Sequence, residues 1–79
     1  MNTALNEFSS SDFGLVVTLS LYYPIDSIDK TNPHRAVFNF KRNSGMDEII
    51  AGYWARTLRI EPQIFLTQLK SIKTRLFEI

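Results

Sequence analysis

The clearest periodicity lies near the C-terminus. Phe65, Leu69, Ile72 and Leu76 fall in one narrow stripe on a wheel of about 3.6 residues per turn, with Gln63, Thr67, Lys70 and Thr74 opposite. Pro62 suits a first helical position, where its missing N–H leaves nothing unpaired. The spacing predicts a helix from about Pro62 to Phe77. Upstream, Met46, Ile49, Ile50, Tyr53 and Thr57 repeat at the interval of a second buried helical face, with Trp54 at its flank. Ser44 is placed to cap that helix, and Asp47 and Glu48 suit its positive N-terminal end. The short link Thr57-Leu58-Arg59-Ile60-Glu61 makes the two helices an antiparallel or steeply crossing pair.

Between Tyr23 and Lys41 the period changes to two. Ala36, Phe38 and Phe40 alternate with Val37 and Asn39, as in a strand with one buried face. Ile25 to Asp29 supplies a pairing strand, and Asp29-Lys30-Thr31-Asn32-Pro33-His34 the hairpin loop. Phe13 to Tyr23 satisfies both periods. Leu15, Val17, Leu19 and Leu21 alternate as in a strand, yet Ser10 or Ser11 before Asp12 is a helix-start signal. Pattern alone leaves helix and strand even.

Length and composition narrow the classes. At 79 residues the chain is one small domain, with residues 1–10 expected as a flexible segment and 11–79 as the folded unit. No cysteine is present, so disulfides and thiolate zinc sites are excluded, and one histidine leaves little for imidazole metal chemistry. No basic start and apolar core of a signal peptide stands at the N-terminus. The longest apolar stretch, Ile49 to Ala55, is far below the roughly 20 residues that span a bilayer. A cytoplasmic protein without membrane contact is expected. Net charge is only +1, but it is −2 through Phe40 and +3 after it, which permits a local basic face.

The order of several segments resembles a family of small prokaryotic and mobile-element proteins, the domain of unknown function numbered five-six-five-nine. The carrying residues are Ser11-Asp12-Phe13-Gly14-Leu15, Val37-Phe38-Asn39-Phe40, Tyr53-Trp54, Leu58-Arg59-Ile60-Glu61-Pro62, Phe65-Leu66 and Leu69-Lys70-Ser71-Ile72-Lys73. They extend over nearly the whole chain from Phe8. The resemblance implies a short apolar helix after the Ser/Asp cap, and so turns Phe13–Tyr23 toward helix. The expected fold is α+β in the order α-β-β-α-α: a short helix, a two-stranded hairpin and two helices packed on it. Two departures stand out. The family favours Asp before the proline where this chain has Glu61, and a glycine near Arg56 where this chain has none. The family implies no activity.

No constellation points to catalysis. His34 follows Pro33 in the predicted loop near Asp26 and Asp29, but a Ser/His/Asp site needs a rigid support and a pocket. Asp26, Asp29, Asp47 and Glu48 lack the spacing of a Ca²⁺ loop, and the three glycines stand apart, with no phosphate-binding run. A helix-turn-helix reader is poorly matched by a Gly-free turn and a strongly amphipathic second helix. No metal, cofactor or small-molecule substrate is expected.

Two surfaces carry the functional expectation. Arg35, Lys41 and Arg42 flank the aromatic strand, a basic-aromatic alternation like that of RNA-stacking sheets, although Phe38 and Phe40 are better placed as core. Arg56, Arg59, Lys70, Lys73 and Arg75 form a phosphate-binding face if they point the same way. Leu66, Lys73 and Phe77 lie on one flank of the last helix, either as packing or as a docking edge. The expected function is a non-enzymatic accessory module in a nucleic-acid-processing or mobile-element system. The alternative is a protein–protein module, binding a larger protein or itself, without nucleic-acid contact.

Overall fold

A computed structural model describes residues 6–32 and 34–77. The elements run β1 (Glu7–Ser10), α1 (Phe13–Ser20), β2 (Ser27–Asp29), β3 (Val37–Lys41), α2 (Met46–Ala55) and α3 (Pro62–Phe77). The class is α+β, with a three-stranded antiparallel sheet in the order β1-β3-β2. This corrects the expected two-stranded hairpin and its α-β-β-α-α order. Glu7–Ser10, placed by the sequence in a flexible segment, pairs with β3, while residues 1–5 of that segment, Pro33 of the hairpin loop and residues 78–79 lie outside the described residues.

Register explains the extra strand. Phe8 faces Phe40, Ser10 faces Phe38, and Ile28 faces Phe38 from the other side, so Phe8, Ile28, Phe38 and Phe40 share the inner face. Phe38 and Phe40 are buried, as the core assignment requires, and no base can stack on them. The opposite face carries a polar ladder. Ser9 Oγ donates to Asn39 Oδ1 at 2.6 Å, and Asn39 Nδ2 donates to Ser27 Oγ at 3.0 Å. A third strand also supplies what a lone hairpin lacks, since two strands alone are marginal in water.

Phe13–Ser20 is helix. Asp12 is its N-cap, Oδ1 accepting from the Leu15 N–H at 3.1 Å. Five consecutive residues, Leu15 to Leu19, are buried, so the helix is covered on every side. That explains the two overlapping periods: a helix enclosed all round needs no polar stripe. Thr18, the buried polar residue among them, donates its hydroxyl to the Gly14 carbonyl at 2.8 Å. Helix α1 is the hub, packing on β1, α2 and α3. Met46 of α2 and Ile72 of α3 join Phe38 and Phe40 of the sheet's inner face in one buried core, so the last two helices share both α1 and the sheet as support.

The ends of α2 and α3 differ from expectation in instructive ways. Gly45, not Ser44, stands at the N-cap of α2 and offers no side-chain bond, while Asp47 takes an ion pair from Arg42 at 2.7 Å. Glu61 does cap α3, its Oε1 accepting from the Ile64 N–H at 2.9 Å. Helix α2 stops in a six-residue reversal in which Thr57 N–H bonds the Gly52 carbonyl and Arg56 N–H bonds the Tyr53 carbonyl. Arg56 takes the left-handed conformation there, φ 63° and ψ 32°. This is where the resembled family favours glycine. Arg56→Gly is expected to stabilise the chain by about 1 kcal/mol, because a left-handed non-glycine residue costs about 1–2 kcal/mol, part of it offset by glycine's entropy. Thermal melts of the two proteins check this, and an unchanged midpoint would contradict it.

Candidate functional site

Helices α2 and α3 both rest on α1, and pack on it more than on each other. The space left between them is a groove of about 470 Å³. Thr18 of α1 contributes to its lining, with Gly52, Tyr53 and Arg56 from α2 and Phe65 and Leu66 from α3. The link between the helices adds Leu58, Ile60 and Pro62 at the end. Its lining is predominantly apolar, and Arg56 is the one charged residue among it.

Tyr53 fixes the α2 wall. Its hydroxyl donates to Asp12 Oδ1 at 3.1 Å, tying α2 to the cap of α1. Burial, followed by the hydrogen bond and the nearby charge of Asp12, pushes the phenol above its ordinary 10.0, so it stays a donor at neutral pH. The stability it contributes is present below the ordinary value and lost as pH rises through the raised one. The α3 wall is held by Gln68, whose Nε2 donates to Ser20 Oγ at 3.0 Å; that hydroxyl in turn donates to the Val17 carbonyl at 2.6 Å.

The flank of α3 that leads out of the groove is exposed. Leu66 is 52% and Phe77 77% exposed, and Lys70 and Lys73 are exposed with them. At about 100° per residue, these four side chains fall within an arc of about 60° beside the core stripe. Lys73 therefore does not cover Leu66 and Phe77 as packing. At its far end the flank meets a second depression, where Phe77 and Leu76 lie with Arg35, His34 and Ala36 of the β2–β3 loop.

The cations expected to form one basic face divide. Arg56, Lys70 and Lys73 share the groove and its flank, and Arg35 joins them at the Phe77 end. Arg75 stands about 200° around α3 from Lys73, on the opposite side. Lys41 and Arg42 lie at the other end of β3 from Arg35, with Arg42 paired to Asp47 and its guanidinium 5.6 Å from the Phe8 ring centroid. Arg59 is exposed in the link and turns back toward the Leu58 carbonyl, Nη1 to O 3.5 Å.

His34 is exposed, and its backbone N–H bonds Asn32 Oδ1 at 2.9 Å. Asp29 accepts from the Thr31 N–H at 2.9 Å, and the Thr31 hydroxyl and N–H lower its carboxyl below the ordinary value. Among the described residues no three His, Asp or Glu side chains gather to hold a metal ion. Among the same residues no helix is long and apolar enough to cross a membrane. The groove itself was missed from the sequence. Its walls come from α2, the link and α3, with Leu58 packed over Gly52 and Leu66 on the α3 wall, and separate helical wheels do not connect them.

Fold and site together define a small α+β domain with an open apolar groove between two helices. Residues 6–78 match the family described as a domain of unknown function (DUF5659), and the chain belongs to that family. No curated protein and no solved structure matches the chain.

Proposed function

We propose that this chain is a non-enzymatic interaction module that docks a partner protein along the α3 flank, with the α2–α3 groove receiving an apolar side chain of that partner. The carrying observation is that exposed Leu66, in the wall of the groove, shares one flank of α3 with exposed Phe77. From Leu66 to Phe77 is 11 residues, a rise of about 16 Å, longer than a small molecule seated in the groove would cover. Exposed apolar groups held on a rigid helix favour association with another polypeptide.

A second reading is carried by the cations. Arg35, Arg56, Lys70 and Lys73 with the exposed Phe77 suit phosphate contact and base stacking, as in an accessory to a nucleic-acid-processing or mobile-element system. Cytoplasmic action fits either reading.

A photo-crosslinking residue placed at position 66 or 77, in the protein expressed in its native cell, tests the two. The expected result is a polypeptide adduct at both positions and none from position 75, on the opposite side of α3. The captured protein should bind the purified chain, and lose at least tenfold in affinity to Leu66→Asp or Phe77→Asp, an effect of about 1.4 kcal/mol. Both variants should fold normally by circular dichroism, because the side chains removed are exposed. Nucleic-acid adducts, with binding that falls steeply with salt and with Lys70→Glu or Lys73→Glu, would select the second reading.

A further inference from the structure

The exposed flank of α3 reads Leu66, Lys70, Lys73 and Phe77, at positions i, i+4, i+7 and i+11. That is the spacing by which one helix lies along another. Its centre is cationic and its ends are apolar. Among the described residues neither Lys70 nor Lys73 has an ion-pair partner, and no carboxylate lines the groove at one end or the depression at the other. Arg56 and Arg35 add further positive charge at those two ends.

This arrangement discriminates between occupants. If two copies meet antiparallel about a two-fold axis midway between Lys70 and Lys73, Leu66 faces Phe77, but Lys70 of each copy faces Lys73 of the other. A parallel pair sets Lys70 on Lys70 and Lys73 on Lys73. Both geometries place like charges at the centre of the contact, where they disfavour pairing. Phosphates satisfy the lysines yet leave the apolar groove at Leu66 unfilled. An amphipathic helix with apolar anchors at its ends and carboxylates between them satisfies all four positions.

We propose that the α3 flank docks an acidic amphipathic helix of another protein, its carboxylates against Lys70 and Lys73 and its apolar anchors against Leu66 and Phe77. The proposal rests on the protein-docking reading above and names the chemistry of the partner. Complementary charge on such a seam selects the partner and rejects self-association.

The test uses the chain itself as probe. The double variant Lys70→Glu/Lys73→Glu keeps both apolar anchors and presents an acidic centre, and its changes lie at exposed positions. Sedimentation equilibrium is run at up to about 1 mM, where associations of that strength register. Wild type alone and the double variant alone are expected to stay monomeric. Their equimolar mixture should pair about tenfold more tightly than either alone, and weaken with salt. The single variant Lys70→Glu should self-associate, because an antiparallel pair then sets each new glutamate against Lys73 of the other copy.

A mixture that pairs no more tightly than wild type alone overturns the acidic partner. If wild type itself pairs as well, and Leu66→Asp abolishes that pairing, the docking flank stands and its occupant is a second copy. If no combination associates at any salt concentration, or if Leu66→Asp leaves every association unchanged, the docking reading of the flank falls as well. RNA or DNA that displaces the double variant from wild type, in a manner requiring Lys70 and Lys73, assigns the seam to nucleic acid instead.

Discussion

Phe40→Ala is expected to remove a large part of the chain's folding stability. Phe40 is fully buried in the central strand and faces Phe8 across the ladder. Truncating a buried phenylalanine costs about 3–5 kcal/mol through lost transfer energy and the cavity left behind. A domain of this size has a total stability on the order of 4–12 kcal/mol, at about 0.05–0.15 kcal/mol per residue. The melting temperature should fall by more than about 12 °C, given the 4–8 °C that each kcal/mol commands in small domains. Lys41→Ala, one residue along and exposed, should change stability by less than about 0.5 kcal/mol. Equal melting temperatures for the two variants would mean that the sheet's inner face is not part of the core.

Gly14→Ala should be the most damaging conservative change in α1. A Cβ at this position would stand 2.5 Å from the Tyr53 hydroxyl oxygen. The hydroxyl is held by Asp12 Oδ1, which also caps α1, so the tyrosine ring cannot retreat without breaking the tie between α1 and α2. Overpacking of this kind costs about 1–3 kcal/mol, outweighing alanine's better helix propensity. Tyr53→Phe provides the decisive control. It removes the clashing oxygen, and the next nearest ring atom, Cζ, lies 3.5 Å away, at ordinary contact distance. The double variant should therefore be more stable than Gly14→Ala alone, with a coupling energy of about 1 kcal/mol or more in a double-mutant cycle. Additive effects would show that the close approach does not constrain the helix pair.

The parts of this fold legible in the sequence are those whose information is local. Helix α3 begins at Pro62 and ends at Phe77 as its stripe predicts, because only one side of it is covered and the polar side remains visible in the pattern. Phe38 and Phe40 were readable as core for the same reason. Strand β1 was not. Glu7-Phe8-Ser9-Ser10 holds one apolar residue, and its extended state follows from the partners offered by β3, some thirty positions away. Helix α1 stayed ambiguous because burial on every side erases the contrast from which a period is read. The corner at Arg56 was flagged by the missing family glycine, and the left-handed residue lies there.

For the site, the sequence supplied the side chains but not their company. Leu66, Lys73 and Phe77 were placed on one flank because a single helix orders them. Arg35 reaches Phe77 only through the return of the β2–β3 loop, and Arg56 reaches Leu66 only because α2 and α3 share α1 as a support. No window of sequence encodes either meeting.

The hub position of α1 also governs how the molecule moves. Since α2 and α3 are anchored separately to α1, through Tyr53 to Asp12 on one side and Gln68 to Ser20 on the other, either can tilt while the other stays in place. Amides of the enclosed α1 then exchange with solvent only when the whole chain opens, whereas the helix ends bordering the groove exchange through smaller excursions. Widening the groove therefore costs the contacts of one helix at a time, its polar tether and its buried apolar packing together.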